Sequence, residues 1–127
     1  MIFIDTNYLL RFFLADLEDQ HNQARKLLVD AAAGRIKLFT STVVVFELYW
    51  VLRSFYQKDR RQIFQTLKDF LDLEFIHVEE RATLKDSLET FERSTLSLVD
   101  CYNLAFAKSR NAKDFKTFDR KLAKYFS

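Results

Sequence analysis

The sequence alternates between short apolar runs with strand character and longer segments with helical periodicity. Apolar runs at 2–5, 37–40 and 74–78 each precede a segment with helical spacing. Because each connection between neighbouring parallel strands has to cross over the sheet, this alternation predicts an α/β fold with a largely parallel sheet. The pattern further predicts a fourth strand at 115–117. Helices are predicted at 6–15, from 19 or 20 to 33, and at 60–71, 80–93, 98–109 and 120–126. Another helix is predicted to begin after a cap at Ser41 or Thr42.

Composition limits the classes of protein that this chain can join. Its 127 residues suit one domain, 1–127, with a sizeable core. Proline is absent and Gly34 is the only glycine, so no glycine-rich phosphate loop is possible. Cys101 is the only cysteine, which excludes an internal disulfide framework and a cysteine-rich zinc site and fits a reducing, cytosolic setting. No apolar stretch reaches the roughly 20 residues that span a bilayer, and we predict that the apolar N-terminus is a buried strand rather than a signal peptide.

Four acidic residues carry the functional signal, and Glu47 is the most informative of them. From 43 to 56 only Glu47, Arg53 and Ser54 are not apolar, which predicts that the Glu47 carboxylate does not lie on a solvated face. An ionised carboxylate that is removed from solvent needs a partner, because its burial is otherwise very costly. That partner is either a metal ion or a base, with Arg11 as one candidate for a salt bridge.

The other three acids have structural explanations as well as functional ones. Asp5 lies where a strand meets a turn, and Asp100 follows Ser97 in a spacing typical of a helix cap. Asp119 suits the N-cap of the last helix. Ligands of open α/β sheets bind beyond the carboxyl ends of the strands, so all four acids can meet there if strands one and four are neighbours.

A convergence of carboxylates would favour a particular metal chemistry. Clustered acids without histidine or thiolate ligands suit Mg²⁺ or Mn²⁺ better than Zn²⁺. Such an ion orients a water, lowers its pKa and offsets charge on a phosphodiester during in-line attack. Polar side chains near the acids are candidates for orienting ligands or waters: Thr6, Asn7, Asn103 and Thr117.

The segments around the four acids resemble, in order, the motifs of the PIN-domain ribonucleases. They read I-D-T-N-Y-L-L from Ile4, V-F-E-L from Val45, L-V-D-C-Y-N-L-A-F-A from Leu98 and K-T-F-D-R-K-L from Lys116. The resemblance covers essentially the whole chain, and its length is similar to that of VapC-type toxins of toxin–antitoxin pairs. It implies a three-layer α/β/α fold, a short central parallel sheet of about four strands flanked by helices, and RNA cleavage with one or two Mg²⁺ ions held by Asp5, Glu47, Asp100 and Asp119.

The resemblance also implies partners, and the chain departs from the family pattern at two positions. A toxin of this kind would act in the cytoplasm on RNA and bind a small antitoxin, with a homodimer or a larger toxin–antitoxin assembly expected. Some members carry another acid where Ser97 stands, so a second metal would be held less firmly here. Many members have a glycine where Asn111 stands, and asparagine tolerates the left-handed conformation.

Charged and aromatic side chains add weaker indications. Most of the basic residues between 108 and 124 suit a solvated face, but Arg120, beside Asp119, and Arg11 are candidates for contacting RNA phosphates. The helix after Ser41 is apolar almost all round, which indicates a surface for a protein partner.

Three alternative functions remain open from the residues. The first is a PIN nuclease that processes nucleic acid without an antitoxin. The second is a receiver-like or degenerate PIN-like binding module, although none of the four acids is missing. The third is an aspartate-nucleophile phosphatase, which usually needs a second acid where Asn7 stands.

Overall fold

The computed structural model describes residues 1–126, which divide into two compact units at 79/80. The first unit alternates strands and helices, and the described part of the second is helical. That a single domain covers 1–127 stays a prediction. The elements of the first unit are β1 (Ile2–Phe3), α1 (Thr6–Leu14), α2 (Glu18–Ala32), β2 (Leu38–Thr40), α3 (Thr42–Ser54), α4 (Arg60–Leu71) and β3 (Ile76–Val78). Those of the second are α5 (Arg81–Glu92), α6 (Leu98–Ser109) and α7 (Arg120–Phe126).

The described strands form one parallel sheet in the order β1-β2-β3. Ile2 pairs with Leu38, and Leu38 pairs with Ile76, so β2 is central. Two helices separate each strand from the next, as parallel neighbours require a crossover. The predicted α/β fold with a short parallel sheet and flanking helices is therefore confirmed.

The predicted number of strands is wrong, because residues 115–117 form no strand. The side chain of Asp114 accepts a hydrogen bond from the backbone N–H of Phe115 at 2.8 Å and pairs with Lys116 at 2.7 Å. Side chains that bind nearby backbone groups in this way compete with a strand ladder. The sheet therefore has three strands within residues 1–126, and no fourth strand lies beside β1 in that range.

The first strand is not buried, contrary to the sequence prediction. Ile2 and Phe3 are 44% and 48% exposed, and burial begins at Ile4. The strand is only two residues long and lies at the edge of the described sheet. The apolar core of this unit is built instead by Ile4, Leu9, Leu10, Leu38, Leu48, Leu52, Ile63, Leu67, Phe70 and Ile76.

Local capping groups explain where several helices begin and end. The hydroxyl of Ser41 accepts a hydrogen bond from Val44 N at 3.2 Å, which confirms the predicted cap of α3. Asp59 and Gln62 form a reciprocal capping box at the start of α4. Gly34 has φ +80° just after α2, a conformation in which glycine commonly ends a helix.

The second unit is held together by apolar side chains of its helices. Leu84, Leu88 and Phe91 of α5 are buried, and their spacing places them on one face of the helix. Cys101 of α6 is also fully buried. None of the helices within residues 1–126 has the length and apolar character needed to cross a bilayer.

Candidate active site

Asp5 ends the first apolar run and caps the helix that follows. Its backbone is extended, and its Oδ1 accepts a hydrogen bond from Thr6 N at 2.7 Å. Its carbonyl oxygen accepts from Tyr8 N at 3.2 Å, which continues the first turn of α1. Asp5 is exposed. Asp5 therefore has the structural role that its position at a turn predicted, and its carboxylate is accessible to solvent.

Thr6 joins Asp5 to Glu47 across two elements. The Thr6 hydroxyl is buried and donates a hydrogen bond to Oε1 of Glu47 in α3. The backbone N–H of the same residue binds Asp5. Two of the four predicted acids therefore converge on one threonine within residues 1–79. That Thr6 orients a ligand of a metal ion stays a prediction.

Glu47 itself is exposed, so the prediction that it avoids a solvated face is wrong. The side of α3 that packs inward carries Val44, Val45, Leu48 and Leu52, and Glu47 lies on the other side. Its neighbours there are apolar yet exposed: Val43 is 74% and Trp50 58% exposed. The guanidinium of Arg53 lies 5.8 Å from the centroid of the Trp50 ring. An apolar sequence around an acid thus does not bury it when the helix has more apolar surface than the core covers.

Arg11 contacts groups other than Glu47. Its guanidinium forms an ion pair with Asp16 at 2.8 Å and donates to the Tyr56 hydroxyl at 2.9 Å. The hydrogen bond to Tyr56 is the main cause that holds the pKa of Arg11 above its usual value. The Arg11 side chain is 17% exposed. The predicted alternative of a salt bridge between Glu47 and Arg11 is therefore not formed.

A cavity of about 370 Å³ lies between α1 and α2. Its lining includes two residues that were named from sequence: Asn7 as a candidate for orienting ligands or waters, and Arg11 as a candidate for contacting RNA phosphates. Sequence reasoning missed the other three lining residues, Tyr8, Gln20 and Gln23. The signal for the two glutamines was present, since residues three apart share a helical face.

Asp100 lies in the first turn of α6 and is half-buried. Its backbone N–H donates to the hydroxyl of Ser97 at 3.1 Å, which confirms that Ser97 caps the helix. Asn103 is exposed one turn later. The cap uses the main chain of Asp100, so its carboxylate is not needed to start the helix.

Asp119 is the N-cap of α7, as the structural explanation foresaw. Its Oδ1 accepts from Leu122 N at 3.0 Å, and its own N–H donates to the Thr117 hydroxyl at 3.1 Å. Asp119 and Arg120 are exposed, and Thr117 is half-buried. The acid therefore follows an irregular segment rather than the end of a fourth strand.

A tyrosine outside the predicted set also has a perturbed environment. The hydroxyl of Tyr102 donates to Oε2 of Glu80 at 2.6 Å. Burial, followed by that hydrogen bond, raises the pKa of Tyr102 to about 12. Its ring stacks on Phe106, whose other neighbour is the guanidinium of Arg110, 4.9 Å from the ring centroid.

The four predicted acids are distributed over both units of the chain. Asp5 and Glu47 belong to residues 1–79, and Asp100 and Asp119 to residues 80–126. Within residues 1–126 no three histidine, cysteine, aspartate or glutamate side chains form a group that would hold a metal ion. That the four acids bind a metal together stays a prediction.

Comparison with known proteins gives a family and one curated relative. Residues 2–126 match the family model of the PIN domain. The chain is 24% identical over 124 residues to the VapC ribonuclease of Aquifex aeolicus (strain VF5), with 98% of this chain and 91% of that protein covered. No solved structure matches the chain with significance.

Proposed function

This chain belongs to the PIN-domain family, and from that premise we propose that it is a magnesium-dependent endoribonuclease that hydrolyses RNA phosphodiester bonds. The observation that carries the proposal is the meeting of Asp5 and Glu47 at Thr6. Two carboxylates fixed through one residue at the carboxyl end of β1 suit the start of a cation site. The similarity to a VapC ribonuclease supports RNA as the substrate.

The donor chemistry of the proposed site fits Mg²⁺, with Mn²⁺ as a substitute. Asp5, Glu47, Asp100 and Asp119 offer oxygen atoms alone, which hard divalent cations prefer. We assign these four carboxylates to hold one or two ions. A bound Mg²⁺ would orient and acidify the attacking water and offset charge on the phosphodiester.

The remaining proposed roles belong to residues around the acids. The Thr6 hydroxyl holds Glu47 in one orientation, as a partner outside the ligand set does in many metal sites. Asn7, Asn103 and Thr117 orient waters or ligands in the same way. The fixed guanidinium of Arg11 and the exposed one of Arg120 attract RNA phosphates.

A toxin of a type II toxin–antitoxin system is the biological role that we propose, acting in the cytoplasm. The chain spans most of a curated VapC ribonuclease and is covered by it over nearly its whole length, which supports this role. A PIN nuclease that processes RNA without an antitoxin would share the same chemistry. A small gene for a DNA-binding protein beside the gene for this chain would favour the toxin.

The outward side of α3 is the surface that we assign to protein partners. Val43 and Trp50 are large, apolar and mostly exposed there, and Phe55, which follows the end of the helix, is mostly exposed as well. A second copy of the chain or the antitoxin would cover them, since surfaces of this kind usually bind partners. Sedimentation of the wild type and of Trp50→Lys tests whether this face forms a homodimer: the variant should sediment as a monomer.

Cleavage of single-stranded RNA by the purified chain tests the catalytic proposal. We expect cleavage with Mg²⁺ or Mn²⁺, none in EDTA, and recovery when Mg²⁺ is added back. The Glu47→Gln variant, purified in the same way, controls for contaminating nucleases and should be inactive. Equal cleavage by both proteins, or by neither under any metal condition, would contradict the proposed function.

A further inference from the structure

The cavity between α1 and α2 lies directly beside the first acid of the chain. Asn7, Tyr8 and Arg11 line it from α1, and Gln20 and Gln23 from α2. The backbone N–H of Tyr8 donates to the carbonyl oxygen of Asp5, so the cavity starts within one helical turn of that acid. Its volume of about 370 Å³ lies at the lower end of the range for small-molecule sites.

Three amide side chains in this cavity have unused hydrogen-bonding capacity. Asn7, Gln20 and Gln23 make no side-chain hydrogen bond to any residue in 1–126, and each carries two donors and an acceptor. The amides of Gln62 and Gln65 on α4 do find partners, at 3.0 and 2.8 Å. A single exposed amide needs only water, but three that face one hollow form a pattern of donors and acceptors.

A flat ring and a fixed cation complete the lining. Tyr8 is 42% exposed. The guanidinium of Arg11 is held in place by Asp16 and Tyr56, at 2.8 and 2.9 Å. A planar aromatic surface, a positive charge and several amides are the groups by which proteins hold an unpaired nucleotide: stacking on the base, hydrogen bonds to its edge and attraction of the phosphate.

We propose that this cavity binds one unpaired nucleobase of the RNA substrate and sets base preference near the scissile bond. Tyr8 stacks on the base, Gln20 and Gln23 bind its edge, and Arg11 contacts the adjoining phosphate. The proposal rests on the proposed ribonuclease function and adds residues that determine specificity. Gln20 and Gln23 lie outside the predicted acids and act on binding rather than on the bond that breaks.

Binding in EDTA tests this assignment separately from cleavage. The probes are four fluorescent single-stranded RNA heptamers that differ only in the central base, measured by anisotropy. We expect the Kd of the wild type to differ at least about fivefold between the best and the worst base, as one edge contact allows. The double variant Gln20→Ala/Gln23→Ala should bind all four with similar Kd, and Tyr8→Ala should weaken all of them roughly tenfold.

Asn22 provides a matched control on the same helix. It is an exposed amide between the two glutamines but does not line the cavity. Asn22→Ala should therefore keep the base preference of the wild type. The glutamines are exposed, so melting temperatures should be unchanged in both variants.

The outcomes separate the two proposals. Equal Kd for the four heptamers in the wild type, or a base preference that survives in the double variant, overturns the nucleobase site. Unchanged RNA binding together with altered self-association of the double variant would assign the cavity to a second copy of the chain and also overturn it. Base-dependent binding without cleavage at any Mg²⁺ concentration would contradict the ribonuclease function alone.

Discussion

Thr6 donates its side-chain hydrogen to Glu47, a residue 41 positions further along the chain. The backbone N–H of Thr6 also binds Asp5, at 2.7 Å. A residue that is neither acidic nor exposed therefore fixes the relative positions of two proposed metal ligands. Its substitution should affect metal affinity more than it affects the fold.

Thr6→Val should weaken Mg²⁺ binding. The variant keeps the shape of the side chain but removes the donor to Glu47, which is then free to rotate. We expect the Mg²⁺ concentration for half-maximal cleavage to rise roughly tenfold, as is common when a partner of a metal ligand is lost. The cost in unfolding free energy should be about 1 kcal/mol, because Glu47 is exposed and water replaces the hydrogen bond.

Thr40→Val is the matched control for that prediction. Thr40 is also buried, and its hydroxyl donates to the carbonyl oxygen of Ile4 at 2.8 Å. This variant should lose at least as much stability as Thr6→Val, because the Ile4 carbonyl is buried and water does not replace the lost donor, but it should not change the Mg²⁺ dependence. If both threonine variants shift the Mg²⁺ titration equally, the effect is one of general stability and the role of Thr6 is refuted. Thr6→Ser should restore the wild-type titration.

Substitutions of Asp119 should separate its capping role from its catalytic role. Asparagine caps helices as well as aspartate, so Asp119→Asn should keep the hydrogen bond from Leu122 N and the stability of the wild type. Asp119→Ala should lose about 1 kcal/mol in urea unfolding. Both should lose Mg²⁺-dependent cleavage. If Asp119→Asn stays active and only Asp119→Ala loses activity together with stability, Asp119 is a helix cap and not a metal ligand.

Asp100→Asn should abolish cleavage and leave the fold intact. The side chain keeps its shape, and the cap of α6 persists because Ser97 binds the backbone N–H of Asp100. We expect cleavage to fall at least about 100-fold, the scale seen when an electrostatic stabiliser is removed. Loss of the charge from the helix N-terminus should cost only about 0.5 kcal/mol.

A second carboxylate on the neighbouring helix controls for the change of charge. Asp86 is exposed on α5, and Asp86→Asn should cleave RNA at the wild-type rate. Circular dichroism and thermal melting establish that the Asp100→Asn protein is folded. Wild-type cleavage by that variant, once contaminating nuclease is excluded, would remove Asp100 from the site.

Deprotonation of Tyr102 should lower the free energy of unfolding at high pH. Its pKa is raised to about 12 by burial and then by the hydrogen bond to Glu80, so the folded state holds the proton more tightly than the unfolded state. The resulting stabilisation is complete below about pH 10, the ordinary tyrosine value, and is lost as pH rises through 12. Because Tyr102 is partly exposed, we expect no more than about 1 kcal/mol.

Tyr102→Phe provides the measurement. Its unfolding free energy should lie below that of the wild type at pH 8, and the gap should narrow between pH 10 and 12. Tyr8→Phe serves as the control, because the Tyr8 hydroxyl has no hydrogen-bond partner in residues 1–126. A constant gap across the whole pH range would show that the proton on Tyr102 contributes nothing to stability.

Periodicity and capping residues predicted the helices well. The bounds of Arg60–Leu71, Leu98–Ser109 and Arg120–Phe126 agree with the sequence prediction. Each of these helices has an aspartate or serine cap whose hydrogen bond depends only on nearby residues. Signals of this kind are local, so a single sequence contains them.

Predictions that depended on distant residues were less accurate. Whether Glu47 is buried depends on how much of α3 the core covers, and the sequence of that helix does not contain this information. The predicted strand at 115–117 was wrong for a local reason instead, because the side chain of Asp114 accepts a hydrogen bond from the backbone N–H of Phe115. The bond from Thr6 to Glu47 joins two helices and could not be read from spacing.

Substitution can stabilise two turns of this chain, each of which follows a helix. Ala15 and Gln57 adopt left-handed backbone conformations, with φ of 52° each, after α1 and α3. Residues with a Cβ are strained there by roughly 1 kcal/mol, and glycine is not. We expect Ala15→Gly and Gln57→Gly each to raise the melting temperature slightly, as thermal melting would record. A chain with one glycine can therefore gain robustness at two turns that contain none of the four acids.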